Sequence, residues 1–271
     1  MRPNRAATIS LLSAFVLLLT PALAGARSLL LSGSTSMFPL VTQLGALYHK
    51  QTHQPSPRVG QGTSGAGIDE VAAGRVDIAD VSRDPIIGVD PKGLVFTKIA
   101  RDALCVITNS SNHLSNLSQQ LVEQIFTGQV HSWSEVPGAT ATGPIDLIDR
   151  VASSGTQDAF EDIFLGETLK IAPSASQQET EGGMRQAVIG DRNAIGFASF
   201  DFISGTNPVS YQGIPCTLRN AKSGQYEGVR NFWMVTKGIP KGASAKFIDW
   251  IINRHNTAVE NIIKTEWLPI F

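Results

Sequence analysis

Short apolar runs alternate along the chain with segments whose apolar residues recur at helical spacing. Ser28 to Leu31 reads as a short strand. From Pro39 to His49, Leu40, Val41, Leu44, Leu47 and Tyr48 fall at the spacing of one helix face. Arg58-Val59 reads as the end of a second strand, before a glycine loop, and Ile68 to Gly74 as a helix. Val76 to Val81 is a strand. Leu94 to Ile99 and Ala103 to Asn109 read as two strands, split by the charged pair Arg101-Asp102. Next come a helix over Leu117 to Thr127, a strand over Ile145 to Ile148 and a Ser/Gly loop. Helices over Gln157 to Phe164 and Gly183 to Gly190 precede a strand over Ile195 to Phe200. Val229 to Thr236 is a strand and Ala243 to Asn253 an amphipathic helix. Alternating strand and helix units predict an α/β fold with a mostly parallel sheet covered on both faces. The chain has no repeat of fixed period and no long linker, so any second lobe must be joined by crossing strands.

The first residues stand outside that pattern. Arg2 and Arg5 form a basic start, Ile9 to Leu19 a short apolar stretch, and Pro21 to Ala26 a run of mostly small residues. This is the form of a secretory leader cut after Ala24 or Ala26. A membrane anchor is the alternative, but roughly 20 apolar residues are needed to span a bilayer, and the stretch is shorter. No cysteine follows it, which argues against a lipid anchor. Residues 1–26 are therefore expected to be a signal peptide and the mature chain to act as a periplasmic monomer. Export permits a disulfide between the two cysteines, Cys105 and Cys216. The apolar surroundings of Cys105 favour a buried free thiol instead.

Composition narrows the function. Hydrophobic residues are 42% and charged residues 17%, so the chain is neither disordered nor a coiled coil. Lys+Arg 22 against Asp+Glu 23 gives no bulk attraction to nucleic acid or an anionic membrane. Aromatics at 7% do not favour a stacking platform for bases or sugars.

Three strand–loop–helix junctions carry candidate chemistry: Gly33-Ser34-Thr35-Ser36, Gly60 to Gly67, and Arg150 to Thr156. Each places glycines and small hydroxyl residues where a helix begins. Such a start offers free N–H groups and the positive end of the helix dipole, a ready anion site. Any one of them is equally well an ordinary helix cap. Three in one chain, one led by an arginine, point to a tetrahedral oxyanion. Gly60, Gly62 and Gly65 also match a dinucleotide fingerprint, with Asp77, Asp80 and Asp84 near the expected acid. An exported protein meets little nicotinamide cofactor, and no cofactor is expected. Gly62-Thr63-Ser64 has part of a nucleophile elbow, but Ala66 stands where its last glycine belongs. His49 and His53 have metal-ligand spacing without an evident third ligand. No serine is paired with a base, and the chain is not expected to be an enzyme.

As an ordered set, these segments resemble the phosphate-binding proteins, the PstS-like exported receptors of phosphate ABC importers. The resemblance lies in Gly33 to Leu40, Gly62 to Ile68 and Ser154 to Phe160. Val76-Asp77-Ile78-Ala79, Leu121 to Gly128 followed by Trp133, and Ala194-Ile195-Gly196-Phe197 extend it over nearly the whole mature chain. It implies the type II periplasmic binding protein fold, with two lobes joined by crossing strands and a ligand cleft between them. Combined with the order of the junctions, it suggests a first lobe of residues 27–100 plus 214–271 and a second of 101–213. It further implies inorganic phosphate as ligand and a membrane ABC permease as partner. The implied ligand residues are Thr35, Ser36, Ser64, Ser82, Arg150, Ser154, Gly155 and Thr156.

Two positions depart from the family pattern. Well-studied members carry an aspartate where this chain has Ser82, followed by Arg83, and often pair the arginine with an acid where this chain has Ala152. Ser82 can accept or donate a hydrogen bond, so sulfate, which has no proton, should be rejected less firmly. Another tetrahedral oxyanion such as sulfate, or a non-transport sensory or surface role, stays open. Arg83, if it points inward, would favour a dianion. Asp80 or Asp84 is either a substitute acceptor or a solvated loop residue.

Overall fold

The computed structural model describes residues 27–166 and 168–270, so the expected leader lies outside the described residues. In chain order the elements are β1 (Leu30–Gly33), α1 (Phe38–Thr52), β2 (Arg58–Val59), α2 (Ser64–Ala72), β3 (Ile78–Val81), β4 (Leu94–Asn109), β5 (Asn116–Leu117), α3 (Gln119–Phe126), β6 (Asp146–Arg150) and α4 (Gly155–Phe160). There follow β7 (Ser176–Gln178), α5 (Glu181–Gly190), β8 (Ala194–Ser199), β9 (Thr206–Pro208), β10 (Ser210–Tyr211), α6 (Leu218–Ser223), β11 (Val229–Lys237), α7 (Gly242–Ile252) and α8 (Thr257–Glu266).

Nine strands form one sheet in the order β2-β1-β3-β11-β4-β8-β6-β7, with β9 also on β4. The two wings are parallel: β1 with β2 and β3, and β6 with β7 and β8. The centre is antiparallel, through β3–β11, β11–β4 and β4–β8. The expected mostly parallel sheet is thus correct only for the wings. Parallel neighbours need a crossover, which the helices supply within each wing. The central strands pass between the wings. Leu94 to Ala103 of β4 pairs with β11, and Leu104 to Thr108 pairs with β8.

Burial follows the same division into two lobes. One core gathers Ile107, Phe126, Trp133, Phe160, Phe164, Phe197 and Tyr211. Its rings stack, Phe160 on Phe197 at 4.1 Å between centroids. The other packs Leu31, Leu40, Leu44, Ile78, Phe232, Phe247 and Trp267, with Ile68, Val71, Val81 and Val235 as a smaller cluster.

Several expected elements are corrected. Arg101-Asp102 does not split a strand, because β4 runs unbroken through both. The Arg101 backbone bonds that of Leu268 in both directions, at 2.8 and 2.9 Å. Asp102, fully buried, accepts from Arg230 Nε at 2.9 Å. Helix α2 starts at Ser64, four residues before the expected Ile68, since Thr63 caps it by accepting from Ala66 N at 3.2 Å. Helix α4 starts at Gly155 and passes into a π-helical turn over Glu161–Leu165.

The expected free thiol is also corrected. Cys105 and Cys216 form a disulfide, with Cα atoms 5.8 Å apart. Residues after β10 fold back over β4, where Tyr226 Oη donates to Leu104 O at 2.8 Å. Cys216, Ala221 and Tyr226 accordingly join the core that contains Ile107.

Candidate anion site

The site begins with a close approach of two backbones. Gly33 ends β1 at φ 145°, and a Cβ there would lie 2.2 Å from Asp80 O. Only glycine fits. The chain then turns so that Ser34 N donates to Asp80 O at 2.8 Å, and Ser34, Thr35 and Ser36 lead into α1. On the other lobe, Ser154 caps α4 by accepting from Thr156 N at 3.2 Å. Thr180 caps α5 by accepting from Gly183 N at 2.9 Å.

The structure brings all eight sequence-derived residues together, closed off from solvent. Thr35, Ser36, Ser64, Ser82, Arg150, Ser154 and Thr156 are each at most 3% exposed. Gly155 is buried among them, and a Cβ on it would sit 2.3 Å from Ser64 Oγ and 3.1 Å from Ser82 Oγ. Its lack of a side chain therefore lets the lobes meet. Ser64 Oγ accepts from Ser82 N at 3.1 Å. Ser34 Oγ lies 2.8 Å from both Ser36 Oγ and Ser82 Oγ. Ser34 is thus a further hydroxyl of the cluster, signalled in sequence only by its place in the first junction. Gly65 N donates to Ser153 O at 3.0 Å, another bond between the lobes.

Arg150 is the cation of this cluster. Its Nε donates to Gln178 O at 3.0 Å and its Nη2 to Glu179 O at 2.9 Å. Nη2 also reaches Thr35 Oγ1 at 3.4 Å. Nη1 donates to Glu181 Oε1 at 2.7 Å. Burial pulls the guanidinium below its usual range, and Glu181 opposes that pull. The acid missing at Ala152 is therefore supplied by Glu181, fully buried at the start of α5. Sequence reading missed Glu181 because it is 31 residues away in the chain. A Thr-Glu pair at a helix start looks like capping chemistry. Glu181 Oε1 also accepts from Thr156 Oγ1 at 2.6 Å, and Oε2 from Ser199 N at 3.2 Å.

The remaining candidates take other places. Asp84 is an exposed loop residue, as one of the two readings expected, and its Oδ1 accepts from Asn231 Nδ2 at 2.8 Å and Trp233 Nε1 at 2.9 Å rather than facing the cluster. Asp80 is 1% exposed, and its Oδ1 has no partner among the described residues. Burial pushes its carboxyl well above the usual range, which favours the uncharged form. Arg83 does not add free charge to the cluster. It pairs with Asp90 at 2.6 Å, and its Nε lies 2.9 Å from Asp158 of the other lobe. An open cleft of about 530 Å³ beside it is lined by Arg83, Asp158, Lys170 and Arg230, among others, and by none of the eight residues.

The arrangement is a buried set of hydroxyls around one arginine whose acid, Glu181, already accepts from Arg150, Thr156 and Ser199. Such a set suits an oxyanion.

Comparison with known proteins agrees with this reading of the fold. Phosphate-binding protein PstS of Bacillus subtilis is 28% identical over 229 residues, covering 83% of this chain and 75% of that protein. A Clostridium perfringens protein, described as a substrate-binding protein of a phosphate ABC transporter and solved with bound phosphate, superposes with a TM-score of 0.83 at 28% identity. That match covers 90% of this chain and 100% of the other. An ABC-type phosphate transport receptor of Vibrio cholerae gives a TM-score of 0.71 at 25% identity, over 89% and 99% of the two chains. The family model described as a PBP superfamily domain matches residues 20–255. With two lobes, central crossing strands and a buried cluster between them, the chain belongs to the PBP superfamily.

Proposed function

We propose that this chain is an exported receptor that captures inorganic phosphate between its lobes and delivers it to a membrane ABC permease. The observation that carries this reading is the convergence of Thr35, Ser36, Ser64, Ser82, Arg150, Ser154, Gly155 and Thr156 at one buried place. They come from the three junctions and, for Ser82, from just past the end of β3, on both lobes. The phosphate-binding relatives named above support the choice of anion, and no catalytic step is assigned. The first lobe is taken as residues 27–100 plus the segment after the second crossing, and the other as 101 to that crossing. We take the second crossing within β11 rather than at 214, a reading supported by Cys216 and Tyr226 sharing the core of Ile107. Residues 1–26 are taken as a leader that directs export, and the receptor as a monomer.

Isothermal titration of anion-stripped protein tests the reading. Phosphate binding at micromolar concentration or tighter is expected. Binding of sulfate alone would assign the other oxyanion, and binding of neither would leave a sensory or surface role.

A further inference from the structure

We infer that Thr156, held by Glu181, is the acceptor of the ligand's proton and so distinguishes phosphate from sulfate. The inference rests on the phosphate reading above and names its specificity determinant.

The hydroxyls of the cluster differ in what they have left to offer. Thr35 Oγ1 accepts from Arg150 Nη2 at 3.4 Å and from Glu181 N at 3.2 Å, so its own proton stays free to donate. Ser154 Oγ accepts from Thr156 N, which leaves it a proton to give. Ser64 Oγ accepts from Ser82 N and lies 3.3 Å from Ser82 Oγ, and Ser34, Ser36, Ser64 and Ser82 form a hydroxyl network in which either member of each pair can donate. Thr156 differs from all of these. Its oxygen lies 2.6 Å from Glu181 Oε1. That carboxylate already acts as acceptor for Arg150 Nη1 and Ser199 N. A hydroxyl has a single proton. Thr156 gives its proton to Glu181 and presents only lone pairs elsewhere.

Phosphate keeps one or two protons near neutral pH, whereas sulfate keeps none. A lone pair on Thr156 Oγ1 therefore accepts from the P–OH of phosphate and faces a lone pair of sulfate. Leaving either clash or unmade bond in a buried site is costly. Ser82 cannot provide this by itself, since it is free to donate as well as accept. Both partners are closed from water, Thr156 at 1% exposure and Glu181 at 0%, so no solvent molecule is needed to mediate the bond. Thr156 is a specificity-determining residue, and Glu181 is the positioning residue that keeps its proton turned away.

The test is titration of wild type, Thr156→Val, Thr156→Ser and Glu181→Gln with phosphate and with sulfate. Arsenate and selenate serve as a second protonated and unprotonated pair. Wild type should prefer phosphate. In Thr156→Val the phosphate-to-sulfate affinity ratio should fall about tenfold or more, because phosphate loses its acceptor and sulfate loses its clash. Thr156→Ser should keep the ratio. Glu181→Gln, whose neutral amide holds the threonine proton less firmly, should lower it. Arsenate should follow phosphate and selenate should follow sulfate. If Thr156→Val weakens both anions by the same factor, Thr156 is an ordinary donor and the inference is overturned while the phosphate reading stands. If wild type binds neither anion, both are overturned. The Thr156 pair decides the matter even if Glu181→Gln does not fold.

Discussion

Arg150 holds a positive charge where water does not reach, and the protein itself satisfies most of its donors. The bidentate fork expected of an arginine on an oxyanion is therefore partly spent on Gln178, Glu179 and Glu181. What remains is its charge, one further Nη1 proton and the weak contact to Thr35. Truncating one member of a buried charge pair costs about 2–5 kcal/mol. Arg150→Ala should accordingly weaken phosphate binding by about two orders of magnitude in a titration, and Arg150→Lys should restore only part. Unchanged affinity in Arg150→Ala would remove the arginine from the ligand site. A second residue governs stability. The Asp201 carboxyl is pushed up to about 9 by burial, with Asp102, Glu181 and Glu266 adding to the push and Arg230 opposing it. Both its oxygens lack hydrogen-bond partners among the described residues. Unfolded, it titrates near 3.8. Between those values the folded protein carries a proton that the unfolded chain does not, so stability falls as pH rises through that window. Asp201→Asn keeps the shape of the protonated acid without its titration. Its melting temperature should fall less than that of wild type between about pH 6 and about pH 9. Equal slopes would show that Asp201 does not titrate there.

Strand β4 ties the local chemistry to the fold. It carries Asp102, which takes Arg230 of β11 and the Ser199 hydroxyl of β8, and Cys105, which is bonded to Cys216. The disulfide closes a loop of 111 residues. Its loss in a small exported domain typically costs about 2–5 kcal/mol. Reduction, or replacement of both cysteines by serine, should lower the melting temperature and leave phosphate affinity within a few-fold, because neither cysteine touches the anion cluster. A large loss of affinity would mean that the disulfide also sets the lobe geometry. The segment after β3 joins the lobes in another way, through Arg83 and Asp158. The pair forms only when the lobes are together, and the Asp158 side chain is 32% exposed. Arg83 is buried but already paired with Asp90, and its partly exposed second partner Asp158 is expected to contribute about 1 kcal/mol. Asp158→Asn should weaken phosphate binding by less than about tenfold, chiefly through faster release. A loss as large as that of Arg150→Ala would make Asp158 part of the site itself.

At the scale of the molecule, two cores share one sheet, and the only strands that pass from one to the other among the described residues are β4 and β11. The cluster between the lobes is sealed in the conformation described, with Gly65 bonded to Ser153 and Thr35 in contact with both Arg150 and Glu181. A phosphate ion cannot reach it without separation of the lobes. Small-angle scattering should show the stripped protein more extended than the phosphate-loaded one. Identical profiles would mean that entry needs only local movement of the loops.

The chain order of its patterns determines much of this protein without reference to its folded form. Apolar runs alternating with helical spacing specify the wings of the sheet, since those preferences are local. Glycines and hydroxyl residues at three helix starts mark the binding loops, since capping and close backbone approach need those residue types. Seven of the eight candidate residues lie in those junctions, and the eighth, Ser82, just past the end of β3, is legible only through the family resemblance. Tertiary structure decided the rest. Arg101-Asp102 looked like a break because a charged pair in a strand is costly until a partner is known, and the partner, Arg230, is 128 residues distant. Cys105 looked like an apolar core thiol because nothing local brings residue 216 over β4. Glu181 was invisible for the same reason: its meaning lies in Arg150 and Thr156, which reach it from another strand and another helix. Which hydroxyl donates and which accepts is likewise absent from the order of residues. It depends on where each proton has already gone, and only the closed arrangement of the lobes settles that.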